Sequence, residues 1–146
     1  MIIAVDFDGT LVDHRFPEIG AEAPGAFKWL HEFQKAGAKL ILWTMRSDVR
    51  GEGIGPEGFG ADRDYLTEAV VFCRSRGIEF WAVNKNPRQG SWTDSPKAYA
   101  HLYIDDAAFG VPVREAARMG SRPIVDWDVV GPCVMAMIEA KRGVEA

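Results

Sequence analysis

The first ten residues constrain the fold most. Ile2-Ile-Ala-Val5 is apolar at every position, too short for a helix and rich in β-branched side chains, and it runs into Asp6-Phe-Asp-Gly-Thr10. A run that is apolar on both faces belongs inside a parallel sheet, where neither side of the strand meets water. The polar residues that follow then lie at the strand's C-terminal end, the edge where open parallel sheets build their sites.

The rest of the chain repeats this alternation. Pro24 opens a helical pattern carried by Phe27, Leu30 and Phe33 and closed by Gly37, and Lys39 to Thr44 reads as a second strand. A second helix from Asp62 uses Tyr65, Leu66, Ala69, Val70 and Cys73 and stops at Gly77; Ile78 to Val83 is the third strand. Ser95-Pro96-Lys97 resembles a cap with proline at the first helical position, which predicts a short helix leading into a strand from His101 to Asp105. Ile124-Val125 is a candidate last strand. A final helix from about Asp128 towards Lys141 has Val129, Val130, Cys133, Met137 and Ile138 available for burial, with Pro132 tolerable in its first turn alone. The expected fold is α/β: a three-layer, Rossmann-like parallel sheet with helices on both faces, in one domain over residues 1–146.

Composition narrows the partners. Hydrophobic residues are 47% of the 146 and charged residues 26%, enough apolar surface for a packed core. The net charge of -4 leaves no basic stripe, which disfavours general nucleic-acid binding and polybasic membrane attachment. Asp6 and Asp8 interrupt the apolar start before it could act as a signal or a span, so a cytoplasmic location is expected. Cys73 and Cys133 have no Cys or His at metal-ligand spacing and read as two buried thiols.

Parallel strands point their C-terminal ends to one edge, so Asp6, Thr44 and Asp105 should meet there, with Asp8 and Asp106 beside them and Lys97 in the first turn of its helix. Two carboxylates ~4 Å apart repel by about 4 kcal/mol at an effective dielectric near 20. A hard divalent cation with oxygen ligands, Mg²⁺ above all, suits such a cluster, and Lys97 is a second counter-charge.

The segment Ile2 to Leu11, with its Asp-x-Asp-Gly-Thr, resembles the first motif of the haloacid dehalogenase superfamily of phosphohydrolases. Leu40-Ile-Leu-Trp-Thr44, Lys97 and Tyr103-Ile-Asp-Asp106 follow in that family's order. The resemblance implies a Mg²⁺-dependent phosphatase. Asp6 would be the nucleophile, forming an aspartyl phosphate, and Asp8 the general acid and base. Metal ligands would be Asp6, the Asp8 backbone carbonyl and Asp105, with Asp106 supporting. Thr44 and Lys97 would bind phosphoryl oxygens, Lys85 being the competing lysine. A phosphorylated substrate is the implied partner.

Each feature has a plainer reading. Asp-x-Asp alone often marks a turn, Thr44 could cap its own loop, Asp105-Asp106 could start a turn, and His14 reads as a solvated loop histidine. Gly53 to Gly58 matches the dinucleotide glycine spacing but lies well past its strand and contains Pro56. A phospho-acceptor domain of the receiver type places its acidic pair before the acceptor, the reverse of the order here. A non-catalytic binding protein on the same fold is the alternative function. No interval is long enough for a large cap domain, so the site should be open, covered by a bulky substrate, a neighbouring subunit of a homo-oligomer or a lid formed by loop 51–60.

Overall fold

In a computed structural model of the chain, which describes residues 1–49 and 63–145, four strands form a parallel sheet. They are β1 (Ile2–Val5), β2 (Lys39–Leu42), β5 (Ala82–Val83) and β6 (Leu102–Ile104), in the order β5-β2-β1-β6. β1 lies inside, Ala4 pairing with Ile41 on one side and Tyr103 on the other. Its neighbours explain its composition: Ile3 and Val5 are fully buried and Ala4 nearly so.

Helices α1 (Ala26–Lys35) and α2 (Tyr65–Ser75) end as the sequence predicts. After α1, Gly37 N–H donates to Gln34 O and Ala38 N–H to Phe33 O; after α2, Gly77 N–H donates to Arg74 O and Ile78 N–H to Cys73 O. These paired bonds satisfy carbonyls that a helix end would otherwise leave open. Both helices join α3 (Trp127–Glu145) in one core with Ile3, Val5, Leu40 and Leu42.

The expectation of helices on both faces needs correction. Alternate strand residues point to opposite faces, and Ala4, Ile41 and Ala82 form a smaller cluster that none of the described helices joins. That face packs against Ala100, Trp43, Trp81 and Tyr103. Its cover is the irregular segment that leads into β6. Gln89 ties the segment together, its side-chain amide donating to Ser95 O and Lys97 O and its carbonyl accepting from Tyr99 N–H. The helix expected from Ser95 is absent, and the Tyr99 N–H that would close its first turn on Ser95 O is given to Gln89 instead. A single 3₁₀ turn, Gln89–Ser91, is the regular structure in this stretch.

Smaller corrections follow from edges and faces. The third strand is two residues long because β5 pairs with β2 at Ile41 and Leu42 alone. Of two short antiparallel pairs, one joins β3 (Asp48–Val49) to β4 (Arg63–Asp64). The other joins β7 (Val113–Arg114) to β8 (Ile124–Val125), so the last strand lies outside the parallel sheet. On α3 the buried stripe is Val130, Val134 and Ile138, while Val129, Cys133 and Met137 turn outward. Cys133 is therefore exposed, whereas burial pushes the Cys73 thiol up to about 12. Pro132 is the sixth residue of α3, in its second turn; the carbonyl it leaves without a helical partner belongs to Asp128, an exposed residue.

Candidate active site

The end of β1 is drawn into the sheet beyond its last paired residue. Asp6 N–H donates to Ile104 O at 2.9 Å, which sets Asp6 beside the residue after β6, Asp105. The chain then turns sharply, with the N–H groups of Thr10, Leu11 and Val12 all directed at Phe7 O. Thr10 is fully buried and links the two acidic segments: its hydroxyl donates to Asp6 Oδ2 at 3.2 Å and accepts from Asp106 N–H at 3.1 Å. The buried Trp127 indole donates to Thr10 O at 2.7 Å, fastening the loop to the start of α3.

Carboxylate oxygens of Asp6, Asp105 and Asp106 lie within 4.8 Å of one another. Burial first, and the neighbouring Asp105 charge second, push the Asp6 carboxyl from 3.8 up to about 8. Burial and like charge thus both disfavour the ionised form of Asp6. Asp8 is not part of it. Its carboxylate turns to Arg46, accepting from Nε at 2.8 Å and from Nη2 at 2.8 Å. Arg46 is buried, also donates to Pro17 O and Glu18 O, and stacks 5.1 Å from the Phe7 and Phe16 rings. A guanidinium stripped of water in this way is held by a bidentate carboxylate and by carbonyls, which fixes the Asp8 orientation.

Thr44 follows β2. Its N–H donates to Asn84 Oδ1 at 2.8 Å and its hydroxyl oxygen accepts from Arg46 N–H at 3.1 Å, leaving the hydroxyl proton for another acceptor. A cavity of about 490 Å³ is lined by Asp6, Asp8, Thr44, Asp105 and Asp106 among others, so five of the six sequence-predicted residues share one wall.

Lys97 does not join them. It lies on the segment covering the second sheet face, Nζ 5.7 Å from the Tyr103 ring, in a separate depression with Trp92 and Tyr99. Its expected position followed from the helix that is absent. Lys85 is exposed and lines neither cavity at the carboxylates. Loop 51–60, with its glycine pattern and suggested lid role, lies outside the described residues.

Arg46 and His14 escaped the sequence reading, as did Arg122 on the same cavity wall. Arg46 gave no periodic or motif signal beyond standing two residues after Thr44. His14, read as solvated, is ordered: Nε2 lies 2.8 Å from Asp106 Oδ2 and Nδ1 2.9 Å from Arg122 Nη2. Gly9 makes room for it, since a Cβ there would come within 2.1 Å of His14 Nε2 and 2.6 Å of Asp106 Oδ2. Its φ of +80° also favours glycine.

Fold and site together define an α/β protein of Rossmann-like form with an acidic cluster at the carboxyl edge of its parallel sheet. No family model and no curated protein matches the chain. Among solved structures it is similar to a conserved protein from Bacteroides thetaiotaomicron, with 37% identity, 94% of this chain and 91% of that chain covered, and a TM-score of 0.67. At that identity and coverage the chain belongs to the same family as the Bacteroides protein. None of the described helices is long and apolar enough to cross a membrane.

Proposed function

We propose that the protein is a Mg²⁺-dependent phosphohydrolase of the haloacid dehalogenase type, acting on phosphomonoesters. The observation that carries this reading is the convergence of the Asp6, Asp105 and Asp106 carboxylates within 4.8 Å at one sheet edge. The donor set fits a hard divalent cation: it is all oxygen, with the Asp6 carboxyl raised by burial first and by the Asp105 charge second. Asp6 and Asp105 would hold the ion, with the Asp8 carbonyl as the family resemblance implies and Asp106 in support. When bound, it would neutralise the cluster and polarise the phosphoryl oxygens.

The chain's own groups account for the remaining steps. Thr10 holds one Asp6 oxygen by its hydroxyl, which orients the carboxylate for in-line attack. An Asp6 oxygen forms a bond to phosphorus as the ester P–O bond breaks, and the leaving oxygen takes a proton from Asp8, which must first have taken that proton from solvent while still held by Arg46. Water then attacks the aspartyl phosphate, giving its proton to Asp8 and releasing phosphate and the Asp6 carboxylate. Arg46 occupies one lone pair on each Asp8 oxygen and leaves another free for this proton. The Thr44 hydroxyl is available to donate to a phosphoryl oxygen as charge shifts.

The test is release of phosphate from p-nitrophenyl phosphate. Wild type with Mg²⁺ is expected to be active, with activity lost on chelation and lowered at least about a hundredfold in Asp6→Asn and in Asp8→Asn. Release by both variants at the wild-type rate would contradict the reading.

A further inference from the structure

Arg122 lines the same cavity yet takes no part in the chemistry above. It stands just before β8, whose Ile124 and Val125 are fully buried, and Val125 N–H donates to Gly9 O at 3.0 Å. The backbone carrying Arg122 is thereby fastened to the loop that follows β1. A guanidinium can donate but not accept, so the 2.9 Å contact from Arg122 Nη2 requires His14 Nδ1 to be the acceptor. The imidazole proton then lies on Nε2 and is donated to Asp106 Oδ2 at 2.8 Å. This chain of contacts places one imidazole and two hydrogen bonds between the guanidinium and the Asp106 carboxylate.

Charge on this wall is unevenly spent. Arg46, the other arginine of the cavity, is matched by Asp8. No carboxylate among the described residues lies within ion-pairing distance of Arg122, and of its five N–H donors one is used on His14. Asp6 and Arg122 line the same cavity, so a substrate whose phosphate lies against Asp6 can present a second group to these remaining donors. Planar guanidinium forks bind carboxylate and phosphate oxygens in pairs.

We infer that Arg122, held by His14, forms a subsite for a second anionic group of the substrate, so that the preferred substrates are short phosphomonoesters that also carry a carboxylate or a second phosphate. The inference rests on the phosphohydrolase reading for the first phosphate and extends it to the leaving group.

Binding of non-hydrolysable phosphonates separates the two. With Mg²⁺ present, calorimetric titration of wild type should give about tenfold or more tighter binding of 3-phosphonopropionate or of propane-1,3-diphosphonate than of propylphosphonate. The two ligands with a second anionic group show whether a carboxylate or a second phosphate is preferred. In Arg122→Gln the preference should fall to within about twofold, and Arg122→Lys should restore part of it. Arg118→Gln removes the same charge outside this cavity and should leave the preference intact. Absence of any preference in wild type, its survival in Arg122→Gln, or an equal loss in Arg118→Gln would overturn the inference. If the preference is found but p-nitrophenyl phosphate is not hydrolysed, the phosphohydrolase reading fails and the anion subsite stands; hydrolysis without the preference gives the converse.

Discussion

Asp6 is the residue whose surroundings are least reconciled with its charge. Burial and the adjacent Asp105 raise its carboxyl from 3.8 to about 8, so the metal-free fold favours the protonated form. The stability tied to that proton is complete below about pH 3.8 and is lost as pH rises through about 8. In chelator, the melting temperature of wild type should therefore fall relative to Asp6→Asn between about pH 5 and about pH 9, and Mg²⁺ should reverse most of the fall. Parallel melting curves for the two proteins across that range would refute the account of the cluster. Asp6, Asp8, Thr44, Asp105 and Asp106 were legible in sequence because each follows an apolar strand, and strand ends converge by topology. Arg46 and His14 were not, because what orders them is contact across the loops: Asp8 with Arg46, and Asp106 with Arg122 through the ring of His14. Neither leaves a spacing to read.

At the scale of elements, periodicity and glycine punctuation located α1 and α2, but register on α3 could not be read. Val129, Cys133 and Met137 offer the same four-residue spacing as Val130, Val134 and Ile138, and packing against α1 and the sheet decides which stripe is buried. Gly131 is part of that decision. The Trp29 ring lies where a Cβ on Gly131 would be, 2.3 Å from Cδ2, so α1 and α3 approach closely at this point. Gly131→Ala should gain helix propensity yet lower unfolding stability by about 1–3 kcal/mol, as read from denaturant midpoints, because Trp29 must leave its place. A variant as stable as wild type would mean that the ring moves at no cost. The segment before β6 failed in the opposite sense: Ser95-Pro96-Lys97 had the local chemistry of a helix start, yet Tyr99 N–H goes to the Gln89 side chain and not to Ser95 O.

Among the described residues of the molecule, the three helices share one sheet face and an irregular segment lies against the other, while the carboxyl edge of the strands gathers residues from positions 6 to 122 around one cavity. The parallel sheet was legible because apolar runs and polar strand ends carry it; the layering was not, since it depends on where connections pass. The most direct test of the central claim is an anomalous difference map from crystals of the protein grown or soaked with Mn²⁺. The account predicts a peak bound by the Asp6 and Asp105 carboxylates with Asp106 adjoining. No ion there, or the two carboxylates turned away from each other in its presence, would contradict it.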